Sequence, residues 1–275
     1  MPVHAARPSV CGTLPGATPA AVMALVLALL LAGPVLADPA VAQSVDHIED
    51  ETLAEELATV DELRKQGEFM DAFGRLNNLL GDYPDHVEVL WRLSATEVNL
   101  GEQRGSTSLY EQGLETANRA LEADSTNGLA HFVRSMAEGR LALEAGTREQ
   151  IERSRAVKYH ADRAIELDES LDGALNARGQ WNREVASLGL MSRTIVRTVY
   201  GGLPDASYEQ AVEDFKAALE IEDRILHRYE LARTYAVMGQ PEKAREQIEI
   251  LLDMPNVYYD DPDLKEEARA LLNDL

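Results

Sequence analysis

A short pattern recurs along the chain, and it restricts the fold more than any other feature of the sequence. An Ala- and Leu-rich segment that ends in acidic residues or in a turn occurs five times, as LNNLLGDYP, ANRALEADS, ADRAIELDE, FKAALEIED and IEILLDMP. Alignment of these segments places Leu79, Ala120, Ala164, Ala218 and Leu251 in register, at successive spacings of 41, 44, 54 and 33 residues. Repetition of this kind is typical of an array of similar structural units.

Each copy has the character of the second helix of a pair. From residue 45 to residue 275, Ala, Leu, Glu and Arg dominate and strand-like alternation is scarce, which predicts helices. Small residues, which allow close approach of paired helices, stand seven positions before four of the five aligned residues, at Ala72, Gly113, Ala211 and Ala244. Val157 is the exception. The last spacing is close to the period of about 34 residues of tetratricopeptide repeats. We therefore predict an all-α fold, an α-α superhelix of about five tetratricopeptide-like helix pairs.

The longer spacings predict insertions. One is expected at residues 101–108, a second lengthens the third pair, and the largest covers residues 188–206 with its turn Gly201-Gly202-Leu203-Pro204. Near the end of the chain, Asp261-Pro262 is a typical cap and first turn. A C-terminal capping helix that begins at about Asp261 is predicted to cover the open end of the array.

The first 42 residues have the three-part pattern of a secretory signal peptide. Arg7 provides a positive charge, an apolar run follows at residues 20–32, and small residues lead to Ala37 and Ala42. Cleavage is expected after Ala37 or, preferably, after Ala42. The predicted organisation is a signal peptide at 1–42 and a solenoid domain at 43–275, exported to the periplasm or the extracellular space. The alternative is an uncleaved segment that anchors the protein N-terminally in a membrane.

Composition and motif spacing exclude several classes of function. The chain carries 48 Asp and Glu against 26 Lys and Arg, a net charge of -22, whereas nucleic-acid binding needs clustered basic residues. The one cysteine, Cys11, precedes the apolar run, so the mature protein has no disulfide, thiol nucleophile or cysteine ligand. The six histidines lack zinc-site spacing, and residues 259–263 lack the pattern of a calcium loop. We expect no metal, no cofactor and no catalysis, because no catalytic motif is present.

Three segments are more distinctive than the repeat pattern. Residues 87–93, VEVLWRL, contain a Trp-Arg pair, and residues 157–167, VKYHADRAIEL, contain a His followed by an Ala-Ile pair. Residues 179–221 combine a Gly-x-aromatic start, a Val-x-x-Leu step, a Gly-x-x-Pro turn and an Ala-x-x-x-Phe helix. These segments resemble the regulator of microtubule dynamics family of tetratricopeptide-like proteins, and the likeness covers nearly all of the mature chain. It departs at Gly189, Val133 and Arg134, where the family usually has aromatic residues.

The resemblance implies a helical-repeat fold and a binding role. An exported protein does not meet microtubules, so the function in the family's name does not carry over, and we expect an exported bacterial member. His131 and His160 match positions of the family and could face each other across neighbouring helices. Buried histidines bonded to backbone or carboxylate groups are the usual explanation of such residues.

In repeats of this type the first helix of each pair lines the concave face of the superhelix. The corresponding positions here are Trp91, Phe132, Met136, Arg140, Asn176, Gln180, Arg183, Glu184, Tyr229 and Arg233. Aromatic residues beside arginines are frequent hot spots, and arginines bind carboxylates and phosphates bidentately. One interpretation is a groove for an anionic, partly apolar ligand. The other interpretations are a core of aromatic residues with arginines paired to local glutamates, and a partner on the convex face or the insertions.

The sequence therefore predicts an exported tetratricopeptide-repeat scaffold that binds a partner protein or peptide, such as an acidic one, in its concave groove without catalysis. The alternative function is binding or transfer of a lipid or another anionic amphiphile in that groove. No nucleic-acid partner is expected, and a membrane is contacted only through an uncleaved N-terminal segment.

Secretion of the full chain should yield a mature protein that begins at Gln43, because Ala40 and Ala42 present the small residues that signal peptidases require. Intact-mass measurement and N-terminal sequencing test this expectation. A protein that begins at Asp38 would indicate the other cleavage site, and an intact N-terminus in the membrane fraction would contradict cleavage.

Overall fold

The computed structural model describes residues 45–275. The predicted signal peptide at 1–42, with Cys11 and both cleavage sites, lies outside the described residues. Within the described part, a 3₁₀ turn at Val45–His47 precedes twelve α-helices, and no strand is found. The helices are α1 (Glu51–Lys65), α2 (Phe69–Asp82), α3 (Val87–Arg104), α4 (Thr107–Ala123), α5 (Gly128–Glu144), α6 (Thr147–Leu167), α7 (Asp172–Ser187), α8 (Leu190–Tyr200), α9 (Tyr208–Ile221), α10 (Ile225–Val237), α11 (Pro241–Asp253) and α12 (Asp261–Asp274).

Ten of these helices pack as five pairs, namely α1 with α2, α3 with α4, α5 with α6, α7 with α9, and α10 with α11. Helix α8 lies in the sequence between the two helices of the fourth pair and packs against α6. Helix α12 packs against both helices of the fifth pair. The predicted all-α superhelix of five pairs is confirmed, together with the insertion at 188–206 and the capping helix from Asp261.

Short-range signals in the sequence determine where several helices begin. The Asp50 carboxylate accepts hydrogen bonds from the amides of Thr52 and Leu53 at the start of α1. The Ser207 hydroxyl accepts from the Gln210 amide at the start of α9. Such caps satisfy amides that have no partner within the helix. A proline stands in the first turn of α11 and of α12, where its missing amide hydrogen has no cost.

The first helices of the pairs form an inner layer, consisting of α1, α3, α5, α7 and α10. Helix α3 is the clearest case, because every residue from Glu88 to Gly101 is buried. Its partner α4 buries one stripe only, formed by Tyr110, Gly113, Thr116, Ala117 and Ala120. A helix that is covered on all sides needs neighbours on all sides. The second helices and α12 are therefore the outer layer, and each inner helix depends on the pairs beside it.

The small residues predicted to allow close helix approach are buried at helix contacts. Ala72, Ala211 and Ala244 have no exposed surface. At Gly113, a Cβ atom would lie 2.8 Å from Cγ2 of Val98. The Ser94 hydroxyl donates a hydrogen bond of 2.7 Å to the Gly113 carbonyl oxygen. This bond could not form if the two helices were farther apart. Close packing thus holds α3 against α4.

The largest insertion is held by a polar and an apolar contact. Arg155 of α6 donates hydrogen bonds to the carbonyl oxygens of Tyr200 and Gly202. Ile151, Leu188 and Val196 form a small apolar cluster beneath it. Helix α8 is thereby fixed to the third pair although its sequence belongs to the fourth.

The segment between α11 and α12, residues 254–260, joins the last pair to the first and is called the C-terminal segment below. The Tyr259 amide donates a hydrogen bond of 3.1 Å to the Lys65 carbonyl oxygen. The Tyr259 ring packs edge-to-face on Phe69 with ring centroids 4.9 Å apart. The Tyr258 ring lies between the Lys65 ammonium, at 5.3 Å, and the Arg224 guanidinium, at 3.9 Å. Tyr258 therefore links α1 to the start of α10.

None of the helices in residues 45–275 combines the length and the apolar character needed to cross a membrane.

Replacement of Gly179 by Ala should destabilise the protein although Ala favours helices by about 1 kcal/mol. The new Cβ would lie 2.8 Å from the Phe215 ring, and overpacking of this kind costs about 1–3 kcal/mol. Gly74 of α2 has no atom within 4 Å of an added Cβ, so Gly74→Ala should stabilise by about 0.5–1 kcal/mol. Urea unfolding followed by circular dichroism measures both, and equal effects would contradict the close packing of α7 on α9.

Candidate partner-binding face

All ten predicted site residues lie on inner-layer helices, so the structure places them in one layer of the molecule. They lie on α3 (Trp91), α5 (Phe132, Met136, Arg140), α7 (Asn176, Gln180, Arg183, Glu184) and α10 (Tyr229, Arg233). Eight are buried, whereas Glu184 and Arg233 are half-buried. Burial of this kind is what one of the alternative interpretations expects, namely a core of aromatic residues with arginines paired to local glutamates. Their role in binding a partner stays a prediction. In the structure, many of these side chains contact other side chains of the same layer.

Trp91 shows how such a residue is used. Its indole N–H donates a hydrogen bond of 2.9 Å to Glu88, and only 1% of the residue is exposed. The guanidinium groups of Arg92 and Arg64 lie 4.1 Å and 5.7 Å from its ring centroid. Burial alone would raise the pKa of Glu88, but the charge of Arg92 and hydrogen bonds from Trp91 and Arg92 leave that pKa below its usual value.

Arg92 joins the first pair to the second. Its Nε atom donates to Oδ1 of Asp61 at 2.9 Å, and its Nη2 atom donates to Oδ2 at 2.8 Å. Its Nη1 atom donates to Glu88 at 2.7 Å. Bidentate pairs of this geometry are among the stronger polar contacts in proteins. The sequence analysis did not select Asp61 or Arg92. Counted back from Leu79 in the first repeat, the positions that correspond to Tyr229 and Arg233 in the last repeat are Leu57 and Asp61, so the same counting could have found Asp61.

A second network joins α7 to α10 through Glu230, which has no exposed surface. Arg183 donates to a carboxylate oxygen of Glu230 and, from Nε, to Glu184 at 3.0 Å. Arg233 donates to Glu230 at 3.2 Å. Burial raises the pKa of Glu184 despite the charge of Arg183. The sequence analysis also missed Glu230, because its position lies outside the offsets that define the concave face.

Two further contacts complete the inner layer. Arg140 donates to Glu102 at 2.9 Å and so joins the third pair to the second. The Gln180 amide donates to Asn176 at 2.7 Å, and Asn176 in turn pairs with Nδ1 of His227 at 2.8 Å.

Ten ion-paired groups of the inner layer balance in charge. Five arginines (Arg64, Arg92, Arg140, Arg183, Arg233) face five carboxylates (Asp61, Glu88, Glu102, Glu184, Glu230). This set carries no net charge in a chain whose net charge is -22. The arginines that suggested a basic groove are therefore neutralised by their own layer.

Some polar atoms of the inner layer have no hydrogen-bond partner among the described residues. They include both side-chain polar atoms of Asn99, Nε of Arg140 and Nη2 of Arg183, and all are buried. Asn99 lies one helical turn before Glu102, the partner of Arg140. Because these atoms have almost no exposed surface, a binding partner would meet the exposed side chains of the layer first.

The two histidines that could face each other across neighbouring helices do so, outside the inner-layer networks. His131 Nδ1 and His160 Nδ1 lie 2.8 Å apart, and the two rings are stacked. Within residues 45–275, no group of three or more His, Cys, Asp or Glu side chains is placed to hold a metal ion.

Paired helices stacked side by side, with an inner layer of first helices, define a tetratricopeptide-like repeat protein. A solved structure described as a thermophilic TPR protein in Thermus thermophilus matches with a TM-score of 0.58 at 20% sequence identity. The match covers 80% of this chain and 98% of that one. At this level of identity the likeness shows the fold alone.

The family model described as Regulator of microtubule dynamics protein 1-3 matches residues 56–275, and the chain belongs to this family. The Xenopus laevis regulator of microtubule dynamics protein 3 is 27% identical over 192 residues, which are 68% of this chain and 41% of that protein. The Caenorhabditis elegans regulator of microtubule dynamics protein 1 is 25% identical over 224 residues, or 79% of this chain and 98% of that protein. The chain thus spans less than half of the Xenopus relative and nearly all of the nematode one.

Removal of one partner of the Arg183–Glu230 pair should be costly. Glu230→Leu and Arg183→Met should each destabilise the protein by about 3–5 kcal/mol, because a buried charge is left uncompensated. The double variant should cost less than the sum of the two. Denaturant unfolding of the four proteins gives the coupling free energy, and additive costs would contradict the network. The exposed pair Arg75–Glu56 is the control, for which the same cycle should give at most about 1 kcal/mol.

Proposed function

We propose that this protein is an exported, non-catalytic scaffold that binds a segment of a partner protein or peptide along its inner layer. The tetratricopeptide-like fold supports a binding role, because curved arrays of helix pairs present extended surfaces to partners. The observation that carries the proposal is that the inner layer keeps an exposed polar rim, formed by Arg233 and Glu102. A peptide, with amide groups at regular intervals, has donors and acceptors for both groups of this rim.

The exposed rim of the inner layer suggests how such a segment is recognised. The side chains of Arg233 and Glu102 are 26% and 29% exposed, more than those of their partners Glu230 and Arg140. Arg233 reaches Glu230 only at 3.2 Å and 3.4 Å, so a carboxylate of a partner can compete for it. Because the ion-paired set described above has no net charge, a peptide of mixed polarity with one well-placed carboxylate fits better than a polyanion.

The buried titratable groups support a role without catalysis. His227 Nε2 lies 2.8 Å from Asp172, an arrangement that orients a base in many enzymes, but His227 has no exposed surface. Burial raises the pKa of Glu97 to about 7, the usual range of a general base. Glu97 is also buried, however, and it faces Thr116 and Arg119 of α4. A substrate reaches neither group.

Export is part of the proposal because residues 1–42 have the pattern of a signal peptide and residues 43–275 contain no cysteine. In an exported protein the partner is a protein or peptide outside the cytosol. The microtubule function in the names of the relatives is not proposed for this chain.

The test compares capture by the wild-type protein with capture by inner-layer variants. Arg233→Gln removes one charge of the exposed rim, Glu102→Gln removes the other, and Arg269→Gln on α12 is the control on the outer layer. Capture from cells that produce the protein, followed by titration of the corresponding synthetic peptide, should give equal affinity for the wild type and Arg269→Gln. The two inner-layer variants should lose about tenfold or more, because each removes a polar contact worth about 1.5 kcal/mol.

Circular dichroism should show unchanged helix content in all variants, because Gln keeps a hydrogen-bonding group at both rim positions. Equal affinity of all four proteins would contradict binding at the inner layer. Recovery of stoichiometric lipid in place of a protein, detected by mass spectrometry of the same sample, would contradict a peptide-binding scaffold.

A further inference from the structure

A cleft of about 410 Å³ lies outside the inner-layer networks, where the turn between α4 and α5 meets α5 and α6. It is lined by Ser125, His131, Arg134, Tyr159, His160 and Arg163, with one apolar neighbour. None of these residues was selected for the concave face. The lining contains two imidazoles, two guanidinium groups and no carboxylate, which is unusual in a chain with a net charge of -22.

Hydrogen bonding assigns the protons of the two histidines. His131 Nε2 lies 3.3 Å from the Ser125 carbonyl oxygen, which can only accept, so this nitrogen carries the proton of a neutral His131. His131 Nδ1 is then the acceptor of the 2.8 Å contact, and His160 Nδ1 is the donor. In the neutral form of His160 the Nε2 atom is left with a lone pair. The pair therefore offers the cleft a hydrogen-bond acceptor.

Both imidazoles are neutral at physiological pH. Burial, the charge of Arg134 and the neighbouring His131 lower the pKa of His160 to about 3. Burial is also the largest cause that lowers the pKa of His131, and the charges of Arg163 and Arg134 act in the same direction, against the hydrogen bond with Ser125. The positive charge of the cleft thus comes from its two arginines alone.

The two arginines differ in their ion pairs. Within the described part of the chain, no carboxylate forms an ion pair with Arg134, and its Nε atom is buried without a hydrogen-bond partner. Arg163 pairs with Glu166 at 2.5 Å, but both side chains are well exposed, so water weakens that pair. Both guanidinium groups are therefore able to donate to a bound oxyanion.

Tyr159 adds an aromatic surface to the cleft. It is 59% exposed, and its ring stands edge-on to His160 at a centroid distance of 5.0 Å. An exposed aromatic ring beside charged donors can stack on a ring of a ligand while the donors hold an attached anionic group.

We infer that this cleft binds a phosphomonoester carried by an aromatic ring. Arg134 and Arg163 donate to its anionic oxygens, the P–OH group of the monoanion donates to His160 Nε2, and Tyr159 stacks on the ring. With a second pKa of about 6, about a tenth of a phosphate monoester keeps one such proton at pH 7, and the acceptor at His160 selects that fraction. Sulfates and carboxylates have no proton to donate at that pH, so the acceptor at His160 disfavours them.

The test uses the wild-type protein with phenyl phosphate, phenyl sulfate, benzoate and inorganic phosphate as probes, at neutral pH and low salt. Calorimetric titration should show phenyl phosphate binding about tenfold or more tightly than phenyl sulfate or benzoate. Nitrogen NMR should show the largest change at His160 Nε2, from an acceptor to a hydrogen-bonded nitrogen. Equal affinity for the three aryl anions, no detectable binding of phenyl phosphate, or unchanged His160 signals would each overturn the proposal.

Variants test the assigned roles. Arg134→Gln should weaken phenyl phosphate about tenfold or more, whereas Arg148→Gln, an exposed position on the same helix as His160, should leave it unchanged. Tyr159→Ala should remove the advantage of phenyl phosphate over inorganic phosphate. Equal losses in Arg134→Gln and Arg148→Gln would mean general charge attraction only. If Arg134→Gln does not fold, the NMR titration of the wild-type protein tests the proposed binding without it.

Discussion

The complete burial of the inner helices is the constraint on which the rest of this structure depends. A helix pair cannot cover its own inner face, so each pair is stable only between neighbours. Because α3 is enclosed along fourteen consecutive residues, Glu88 to Gly101, its charged residues have no access to bulk water. Charges in that position must be compensated inside the protein. This accounts for the equal numbers of arginines and carboxylates among the ion-paired residues of the inner layer.

Polar contacts also determine which pairs meet and in which register. Apolar faces of helices can slide against each other, whereas hydrogen-bonded groups match at one position only. Arg92 with Asp61 joins the first two pairs, Arg140 with Glu102 joins the second and third, and Arg183 with Glu230 joins the last two. Between the third and fourth pairs, the Trp181 indole donates to Ser154 at 2.8 Å. Each junction of the array thus has its own polar contact.

Local sequence signals predicted most of the architecture. The aligned positions from Leu79 to Leu251, the small residues seven positions before them and the Asp261-Pro262 cap each act within a helix or between neighbours in sequence. They were sufficient for five pairs, the inserted segment and the capping helix. The family resemblance indicated that His131 and His160 could face each other, and they do.

The candidate site was predicted only in part. Repeat offsets indicate which side of a helix faces inward, and they placed all ten residues on the inner layer. They contain no information on how tightly the layer closes, which depends on contacts between distant parts of the chain. The sequence therefore left open whether Trp91 and Phe132 belong to the core or to a groove, and Glu230 and Asp61 were not recognised as the groups that neutralise the arginines. The contact of Tyr259 with Phe69 could not be found from periodicity, because it lies outside the repeats.

The contact between Tyr259 and Phe69 affects the order in which parts of the domain fold. In an open array, each hairpin can finish folding as soon as its neighbour exists. Here Phe69 is 2% exposed and is covered by Tyr259, so the two ends of the domain must meet. Contacts between residues so far apart in sequence form late and slowly. The N-terminal hairpin is synthesised first, yet its surface stays open until almost the entire chain is present.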